Sequence, residues 1–423
     1  MVAMSTSGLL YISEGIPYGF TSTAMVAFMR TAGISLEQIG TFVAALFLPW
    51  ALKWVWAPLI DLVKLRRFGG RKAWIMFCST MMIVTLLITA TVDFVTNFQM
   101  LLLMIVLNNF FCATQDVAID SLAVSTLKED ERGRGNGFMF GGQYAGIALG
   151  GGGAIFVFSY WGFNVALIYI SCLLVLSLLF VVFFVRDPAA AKQDDASKND
   201  VLGEFVRELR AFLKEFYVSF LRSGRGPRLG LVFSLLPIGA MALAYATLGT
   251  IQVDYGLSGA QIAELSIYNT VTAGLGCLIG GLLGDRFGLK KMLGAFYLLT
   301  GLPTLVLAAQ ISNVGLEFVP IDLFYAVIIL HGLFYGMTFG LHAAIFMGMT
   351  NPAVAATQFT AFMAMTNLAI SVGNYWQGMV AERFDYAMVL YLDALIAIVP
   401  LSLIPFLRNR EEEPGLAALR GEP

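Results

Sequence analysis

Long apolar stretches separated by short polar ones recur along the whole chain and indicate its architecture. A run of about 20 apolar residues can cross the hydrocarbon core of a bilayer as a helix. Lone Pro or Gly residues inside such runs are tolerated, because neighbouring helices can satisfy the freed backbone groups. The pattern predicts an all-α membrane protein with twelve transmembrane helices, numbered here as spans one to twelve. They lie near residues 4–29, 37–58, 73–93, 98–125, 136–160, 163–185, 228–251, 261–284, 289–311, 320–349, 355–380 and 385–407.

Composition supports the membrane class. Hydrophobic residues make up 58% of the chain and charged residues only 13%, whereas soluble proteins carry about 25% charged residues. The net charge of −2, with basic residues confined to short loops, gives no reason to expect a nucleic-acid partner. The four cysteines lie inside apolar runs without metal-ligand spacing, so neither a metal nor a cofactor is expected.

The distribution of Lys and Arg predicts the orientation in the membrane. If the N-terminus is cytoplasmic, most of the 26 basic residues fall in cytoplasmic loops, in the linker after span six or in the C-terminal tail. Only Arg30 and Arg383 then lie in outward loops. We therefore expect both termini in the cytoplasm. The first apolar stretch lacks the basic leader of a signal peptide, which predicts a retained first span.

The connection between spans six and seven differs from the other loops. A polar stretch, AAAKQDDASKND, comes first, and apolar residues then recur at helical spacing opposite charged ones. This predicts an amphipathic helix lying on lipid at the inner leaflet. A docking site for a regulatory partner is the alternative. The apolar residues are Leu202, Phe205, Leu209, Phe212, Phe216 and Phe220.

Two short patterns occur once in each half of the chain. GISLEQI at 33–39 is similar to GLSGAQI at 256–262, and both have the Ser and Gln spacing of a helix capping box. Asp61 and Asp285, each followed by basic residues, are 224 positions apart, and the two capping segments are 223 positions apart. The agreement predicts a duplication into two six-helix bundles. The expected domains are a bundle at 1–185, a cytoplasmic linker at 186–227, a bundle at 228–407 and a cytoplasmic tail at 408–423.

These segments also carry a family resemblance. GGLLGDRFGLKK at 280–291 closely resembles the signature loop of the major facilitator superfamily. LKWVWAPLID at 52–61, FGGRKAW at 68–74, ATQDVAID at 113–120 and GIPYG at 15–19 look like the AmpG-type muropeptide permeases, and the first three look equally like acetyl-CoA transporters of the same wider group. The resemblance implies two bundles around a central cavity, working by alternating access. It also implies a small-molecule substrate and a bacterial inner membrane, and we expect a monomer.

Ionisable residues inside the spans are the candidates for coupling and gating. Each costs roughly 2.5–3.5 kcal/mol to insert, so such residues usually face water or the bundle interior. Glu14 and Asp116 are predicted to bind the coupling proton, although Glu14 could instead bond the substrate and Asp116 could only brace a gate. Asp120 is better placed than Asp116 to pair with Lys53 or with loop cations. The predicted gating residues are Lys53, Asp61, Arg71, Asp120, Asp285 and Arg286.

Other polar residues inside the spans predict a substrate cavity. As a set they suit a substrate with many hydrogen-bonding groups, such as a sugar-peptide, but each could instead join two helices. The predicted cavity residues are Glu14, Tyr18, Asn108, Asn109, Gln115, Gln143, Tyr144, His331, Tyr335, His342, Asn367 and Asn374. The glycine-rich run at 141–154 lacks a phosphate-loop ending and predicts closely packed helices that can slide.

Proton-coupled import of a muropeptide is the function that these features favour. Siderophore import is second, because related importers often have twelve spans and a similar length. Acetyl-CoA transport is third, because a multiply phosphorylated cargo should need several cavity cations and only Lys53 is found. GLSG at 256–259 matches the short nucleophile pattern of rhomboid-type proteases, but Ser258 has a helix-capping context and the chain is not expected to be an enzyme. A channel or a receptor is a further alternative.

Overall fold

The computed structural model describes residues 2–57, 60, 70–91, 97–126, 132–187, 201–221, 225–350 and 355–407. Within these ranges the protein is built of helices and contains no β-strand, which confirms the predicted all-α class. Nine helices in the described residues are long and apolar enough to cross a membrane, judged by length and composition. Each of the twelve predicted spans coincides with helical structure, but spans one, five, seven and twelve are irregular.

The first six spans follow the predicted order closely. Span one runs through Val2–Gly19, a π-helical turn at Phe20–Ala24 and Met25–Thr31. Span five likewise consists of Arg132–Ala148, a π-helical turn at Leu149–Gly153 and Ala154–Trp161. Spans two, three, four and six are Leu36–Leu52, Arg71–Thr89, Phe98–Thr126 and Phe163–Phe184.

The second half begins with the linker helix Val201–Leu221. Span seven is divided into Arg225–Ser234 and Ala246–Asp254, with a largely non-helical stretch between them. Spans eight to eleven are Gly259–Phe287, Leu289–Val314, Ile321–Met349 and Ala355–Arg383. Span twelve is Tyr386–Ile396, followed by two short 3₁₀ turns at Val399–Ser402 and Ile404–Phe406.

The helices pack into two compact units that each draw on both halves of the sequence. Unit one comprises Met1–Ile34, Val55–Phe205 and Gly256–Thr270, and unit two comprises Ser35–Trp54, Val206–Tyr255 and Val271–Pro423. Most of span two therefore packs with unit two, and the start of span eight packs with unit one. The predicted division at 1–185 and 228–407 follows chain order and stays a prediction.

The predicted capping box forms in full at Ser258 and Gln261, and at Ser35 and Gln38 its serine half forms. The Ser35 hydroxyl accepts a hydrogen bond from the Gln38 backbone N–H at 3.2 Å. In the second copy, the Gln261 side-chain oxygen accepts from the Ser258 backbone N–H at 2.9 Å and from its hydroxyl at 2.8 Å. These bonds satisfy backbone groups at the starts of spans two and eight, which explains why the same short pattern occurs twice.

A second contact also occurs once in each half. At the start of span three, Lys72 Nζ donates to the carbonyl oxygen of Val182 near the end of span six, at 2.7 Å. At the start of span nine, Lys290 Nζ donates to the carbonyl of Leu407, which follows span twelve. The last carbonyls of a helix lack intrahelical partners, so a lysine there satisfies them and complements the helix dipole.

Glycines allow spans one and five to touch through their backbones in unit one. A Cβ on Gly146 would lie 2.5 Å from the Ile12 carbonyl oxygen, and one on Gly150 would lie 1.9 Å from the Ile16 carbonyl oxygen. Gly15 likewise leaves no room for a side chain, since a Cβ there would lie 2.3 Å from the Gln143 carbonyl oxygen. The predicted close packing of the glycine-rich run is confirmed, and it fixes the positions of Glu14 and Gln143.

Candidate functional site

Three carboxyl groups of unit one gather around the hydroxyl of Tyr11. This hydroxyl donates a hydrogen bond to Asp120 Oδ1, and it also lies within electrostatic range of Glu14 and Asp116. Glu14 is 1% exposed and Asp116 is 5% exposed, so neither side chain is at the protein surface. Spans one and four thus bring the two predicted proton-binding residues, both buried, and the half-buried Asp120 into one polar cluster.

Glu14 is held by a neutral partner from a third helix. Gln143 Nε2 of span five donates to Glu14 Oε1 at 2.8 Å, and Cys112 Sγ of span four makes a weak contact with the Glu14 carbonyl oxygen at 3.8 Å. The glycine contacts between spans one and five make this hydrogen bond possible, because they bring residues 14 and 143 to adjacent positions. Span one also carries Tyr18 and the π-helical turn just beyond Glu14, and such turns frequently occur at functional sites.

The amide side chains of span four turn towards span three. Asn108 Nδ2 donates to the Met82 carbonyl at 3.0 Å and to Thr85 Oγ1 at 2.9 Å, while Gln115 Nε2 donates to Ser79 Oγ at 2.7 Å. Of the two alternatives for these residues, these bonds favour a role in joining helices. Asn109 donates to the Ile105 carbonyl of its own helix at 3.2 Å. Tyr144, on span five, is half-buried.

The predicted gating residues are spread over both units. Lys53 Nζ lies 5.1 Å from the centre of the Trp50 ring. The backbone N–H of Arg71 donates to Asp187 Oδ2 at 2.9 Å, which caps the start of span three. Asp285 and Arg286 are exposed at the end of span eight, where Arg286 stacks over the Phe287 ring. Asp61 lies outside the described residues, and the gating role of the whole set stays a prediction.

Unit two contains the interruption of span seven, which the apolar pattern did not predict. The helix stops after Ser234 and resumes at Ala246, with Pro237 and Gly239 in between. Pro237 has no backbone N–H to continue a helix, and Gly239 has φ +70°, which favours glycine. We call the stretch 235–245 the span-seven break. Broken helices in transporters are tolerated where surrounding groups satisfy the freed backbone.

Side chains from four neighbouring spans satisfy the break. Thr300 Oγ1 of span nine accepts from the Ala240 backbone N–H at 3.0 Å, and His331 Nε2 of span ten donates to the Ala240 carbonyl at 2.9 Å. Asn374 Oδ1 of span eleven accepts from the Ala246 N–H at 3.1 Å. From span twelve, Asp393 Oδ2 accepts from the Ala242 N–H at 2.9 Å. His331 and Asn374, predicted as cavity residues, therefore support the backbone of span seven.

The remaining predicted residues of unit two differ in their surroundings. The hydroxyl of Tyr335 is 2.8 Å from that of Tyr245, which ends the break. His342 is buried among aromatic rings, with Phe346 at 4.5 Å and Phe233 at 5.0 Å between ring centroids. Neither ring nitrogen of His342 has a hydrogen-bond partner within the described residues. Asn367 is half-buried on span eleven. The sequence predicted a common face for His331, Tyr335 and His342; all three are buried.

Three residues with clear chemistry were not predicted as site residues. Tyr11 stands three positions before Glu14, so helical spacing could have placed both on one face. Asp393 was recognisable as an ionisable residue inside a span, and Gln377 as an amide beside Asn374. The joint role of Asp393 and Gln377 could not be predicted, because it depends on backbone groups that only the span-seven break brings to them.

The comparisons with known proteins agree with this fold. The profile of the Major Facilitator Superfamily matches residues 7–263 and 229–422. The anhydromuropeptide permease of Escherichia coli K12 is 24% identical over 404 residues, covering 93% of this chain and 77% of that protein. A putative transporter named AmpG 4 from Rickettsia conorii is 24% identical over 288 residues, 66% of this chain and 67% of its own.

Solved structures show the same architecture. The D-xylose–proton symporter superposes with a TM-score of 0.69 at 11% identity, covering 98% of each chain. The nucleoside transporter NupG superposes with a TM-score of 0.68 at 17% identity, covering 96% of this chain and 100% of the other.

Taken together, the polar residues buried inside apolar helices, the broken helix and these matches define a multi-pass membrane transporter of the secondary active class. The chain belongs to the Major Facilitator Superfamily. The relatives named above are a permease and a putative transporter, and the chain moves a small-molecule substrate without being an enzyme.

Proposed function

We propose that the protein imports a muropeptide across the bacterial inner membrane together with protons, with Glu14 as the principal proton-binding group. The observation that carries the proposal is the burial of Glu14 in a cluster where its partner at Oε1 is a neutral amide. A buried carboxylate beside two further carboxyl groups is costly to keep charged. Proton uptake removes this cost. The protonation state of Glu14 can therefore change when the site gains or loses contact with water.

Gln143 suits both states of Glu14. Its N–H₂ group donates to the ionised carboxylate, as in the present arrangement. When Glu14 is protonated, the same amide can turn over and offer its oxygen to the new O–H group. Spans one and five therefore stay connected in both states while the charge changes. Asp116, in the same cluster around Tyr11, is proposed to assist the exchange, and alternating access follows from the transporter class.

The substrate class rests on the similarity to the anhydromuropeptide permease over 93% of the chain. A muropeptide combines sugar hydroxyls, peptide amides and carboxylates. Siderophore and acetyl-CoA transport are the alternatives from the sequence, and no contact among the described residues favours either. We further propose that the protein acts as a monomer, that it has both termini in the cytoplasm and that its linker helix contacts lipid.

Transport by the full chain in proteoliposomes tests the proposal. We expect counterflow of labelled anhydromuropeptide, and no counterflow of a ferric siderophore or acetyl-CoA. Glu14→Gln should abolish accumulation driven by a pH gradient but preserve counterflow, because counterflow requires no net proton movement. Glu37→Gln, at an exposed position in span two, is the matched control and should behave like wild type.

Two results would contradict the proposal. Counterflow of acetyl-CoA or siderophore without muropeptide would remove the substrate assignment. Normal accumulation by Glu14→Gln would remove its proton role.

A further inference from the structure

Asp393 of span twelve is a second buried carboxyl with a defined set of contacts. It is 2% exposed. Its Oδ2 accepts from the Ala242 backbone N–H at 2.9 Å, and the Met241 backbone also bonds to this carboxyl. Its Oδ1 accepts from Gln377 Nε2 at 2.9 Å. The carboxyl thus joins the span-seven break to span eleven.

No cation balances this carboxyl within the described residues. Spans nine and eleven and the break all pack against span twelve, but the groups that act on Asp393 are the two backbone amides and Gln377. His331, the titratable group nearest along the break, uses Nε2 to donate to the Ala240 carbonyl. Two neutral amides and a glutamine only partly offset the cost of a buried negative charge. Binding of a proton neutralises this charge, as a neighbouring cation would otherwise do.

The contacts also select the oxygen that can take the proton. Oδ2 faces the Ala242 backbone N–H, which cannot become an acceptor. Oδ1 faces the Gln377 amide, which can turn over and present its oxygen to a new O–H group. An ionised carboxylate can only accept hydrogen bonds. While Asp393 is ionised, the Gln377 amide therefore presents its N–H₂ group to Oδ1. Protonation at Oδ1 is therefore the arrangement that leaves the backbone bonds of the break in place.

Turning the Gln377 amide has a consequence for span seven. In the present state the Gln377 oxygen makes a long contact of 3.5 Å with the hydroxyl of Thr247. Thr247 lies in the first turn of the second piece of span seven, two residues after Tyr245. Protonation would withdraw that oxygen and present an N–H₂ group in its place. Protonation also weakens Asp393 as an acceptor for the Ala242 amide, because hydrogen bonds to a charged acceptor are roughly twice as strong as neutral ones.

We propose that Asp393 and Gln377 form a second proton-binding site of this transporter, which couples the charge of span twelve to the span-seven break. The ionised form holds the break tightly, and the protonated form loosens it. The meaning of this site for transport rests on the proposed proton coupling. Its protonation and its effect on the break can, however, be measured without any substrate.

Hydrogen–deuterium exchange of the full-length protein, reconstituted in lipid nanodiscs without substrate, tests this proposal. The readout is the exchange of peptides covering 238–247, compared between wild type and Asp393→Asn at each pH so that the intrinsic pH dependence cancels. Asn has one acceptor and one donor, like a protonated Asp. We expect slower exchange in wild type at alkaline pH and equal exchange at acid pH.

Further variants separate a proton switch from a structural role. Gln377→Leu keeps the carboxyl but removes the amide that donates to its charged form, so the pH at which exchange changes should rise above that of wild type. This variant also carries the test if Asp393→Asn does not fold. Asp322→Asn, at an exposed carboxyl in the first turn of span ten, should leave the profile unchanged.

The proposal is overturned if wild type and Asp393→Asn differ by the same factor at every pH, or do not differ at all. An unchanged dependence of hydrogen–deuterium exchange on pH in Gln377→Leu would also overturn the proposed role of the Gln377 side chain. These outcomes are independent of the Glu14 experiment. Failure of Glu14→Gln to impair proton-driven uptake would remove the proposed function, and the exchange data would still report on Asp393.

Discussion

At the scale of single residues, the glycines of span five decide how near span one can approach. Gly142, Gly146 and Gly150 recur every fourth residue, so they form one stripe along the helix. At each of them a Cβ would lie within 2.5 Å of a carbonyl oxygen of span one. In lipid, where hydrophobic burial does not drive helix association, such close backbone packing is a main source of stability.

Gly142→Ala should therefore destabilise the protein. Its Cβ would lie 2.1 Å from the Gly8 carbonyl oxygen, which is backbone and cannot rotate away. We expect a loss of about 1–3 kcal/mol, typical of an overpacked core. The measurement is the thermal unfolding midpoint in detergent. Gly141→Ala is the control, since among the described residues no atom of another helix lies within 4 Å of its Cβ position. Equal midpoints for the two variants would contradict the packing argument.

Single residues also show what the sequence could predict of the site. Glu14 and Asp116 were identified because a carboxyl in an apolar run is unusual, whatever its neighbours. Tyr11 was missed because a tyrosine in such a run is ordinary, and only the packing of span one on span four gives its hydroxyl a carboxylate partner. The sequence thus predicts which residues are chemically exceptional, whereas the structure identifies the ordinary residues that complete the cluster.

At the scale of secondary-structure elements, span seven shows the limit of the hydropathy pattern. Residues 228–251 read as one apolar run, and their average gives no sign of an interruption. Pro237 and Gly239 were local signals, but the same residue types are tolerated elsewhere: Pro49 and Pro303 lie inside continuous helices. The break persists here because spans nine to twelve supply partners for its backbone, and such long-range partners cannot be read from one sequence.

Thr300→Val tests this support. The Thr300 hydroxyl is the partner of the Ala240 N–H, and the substitution would leave that buried donor unsatisfied, at a cost of about 1–3 kcal/mol. We expect a lower unfolding midpoint in detergent and faster amide exchange around residue 240.

Thr304→Val is the matched control one turn further along span nine. Thr304 is equally buried, but its hydroxyl only bonds back to the Thr300 carbonyl of its own helix at 3.0 Å. That carbonyl also belongs to the helical hydrogen-bond ladder, so little should be lost. A similar loss of protection near residue 240 in both variants would show that Thr300 has no special role in the break.

At the scale of the whole molecule, the apolar surface and the basic loops both relate the protein to a bilayer. Large apolar side chains are exposed on the spans, among them Phe183 at 72%, Leu282 at 71% and Leu176 at 62%. Such surfaces are rare on soluble proteins and match the acyl chains of lipid. The distribution of basic residues then predicts which of the two possible orientations the protein adopts, because loops rich in Lys and Arg remain on the cytoplasmic side.

The proposed orientation can be tested with one cysteine on each side of the membrane. Glu37 is exposed at the start of span two, which is expected outside, and Lys291 is exposed at the start of span nine, which is expected in the cytoplasm. In a background with Cys172→Ser and Cys277→Ser, Glu37→Cys should react with a membrane-impermeant maleimide in intact spheroplasts. Lys291→Cys should react only after the membrane is permeabilised. The native Cys78 and Cys112 are buried and should contribute little labelling, which the background protein measures directly.

Because helices alternate in direction, the opposite labelling pattern would reverse every loop at once. It would place the Lys72 and Lys290 contacts on the outer face and overturn the assignment of both termini to the cytoplasm.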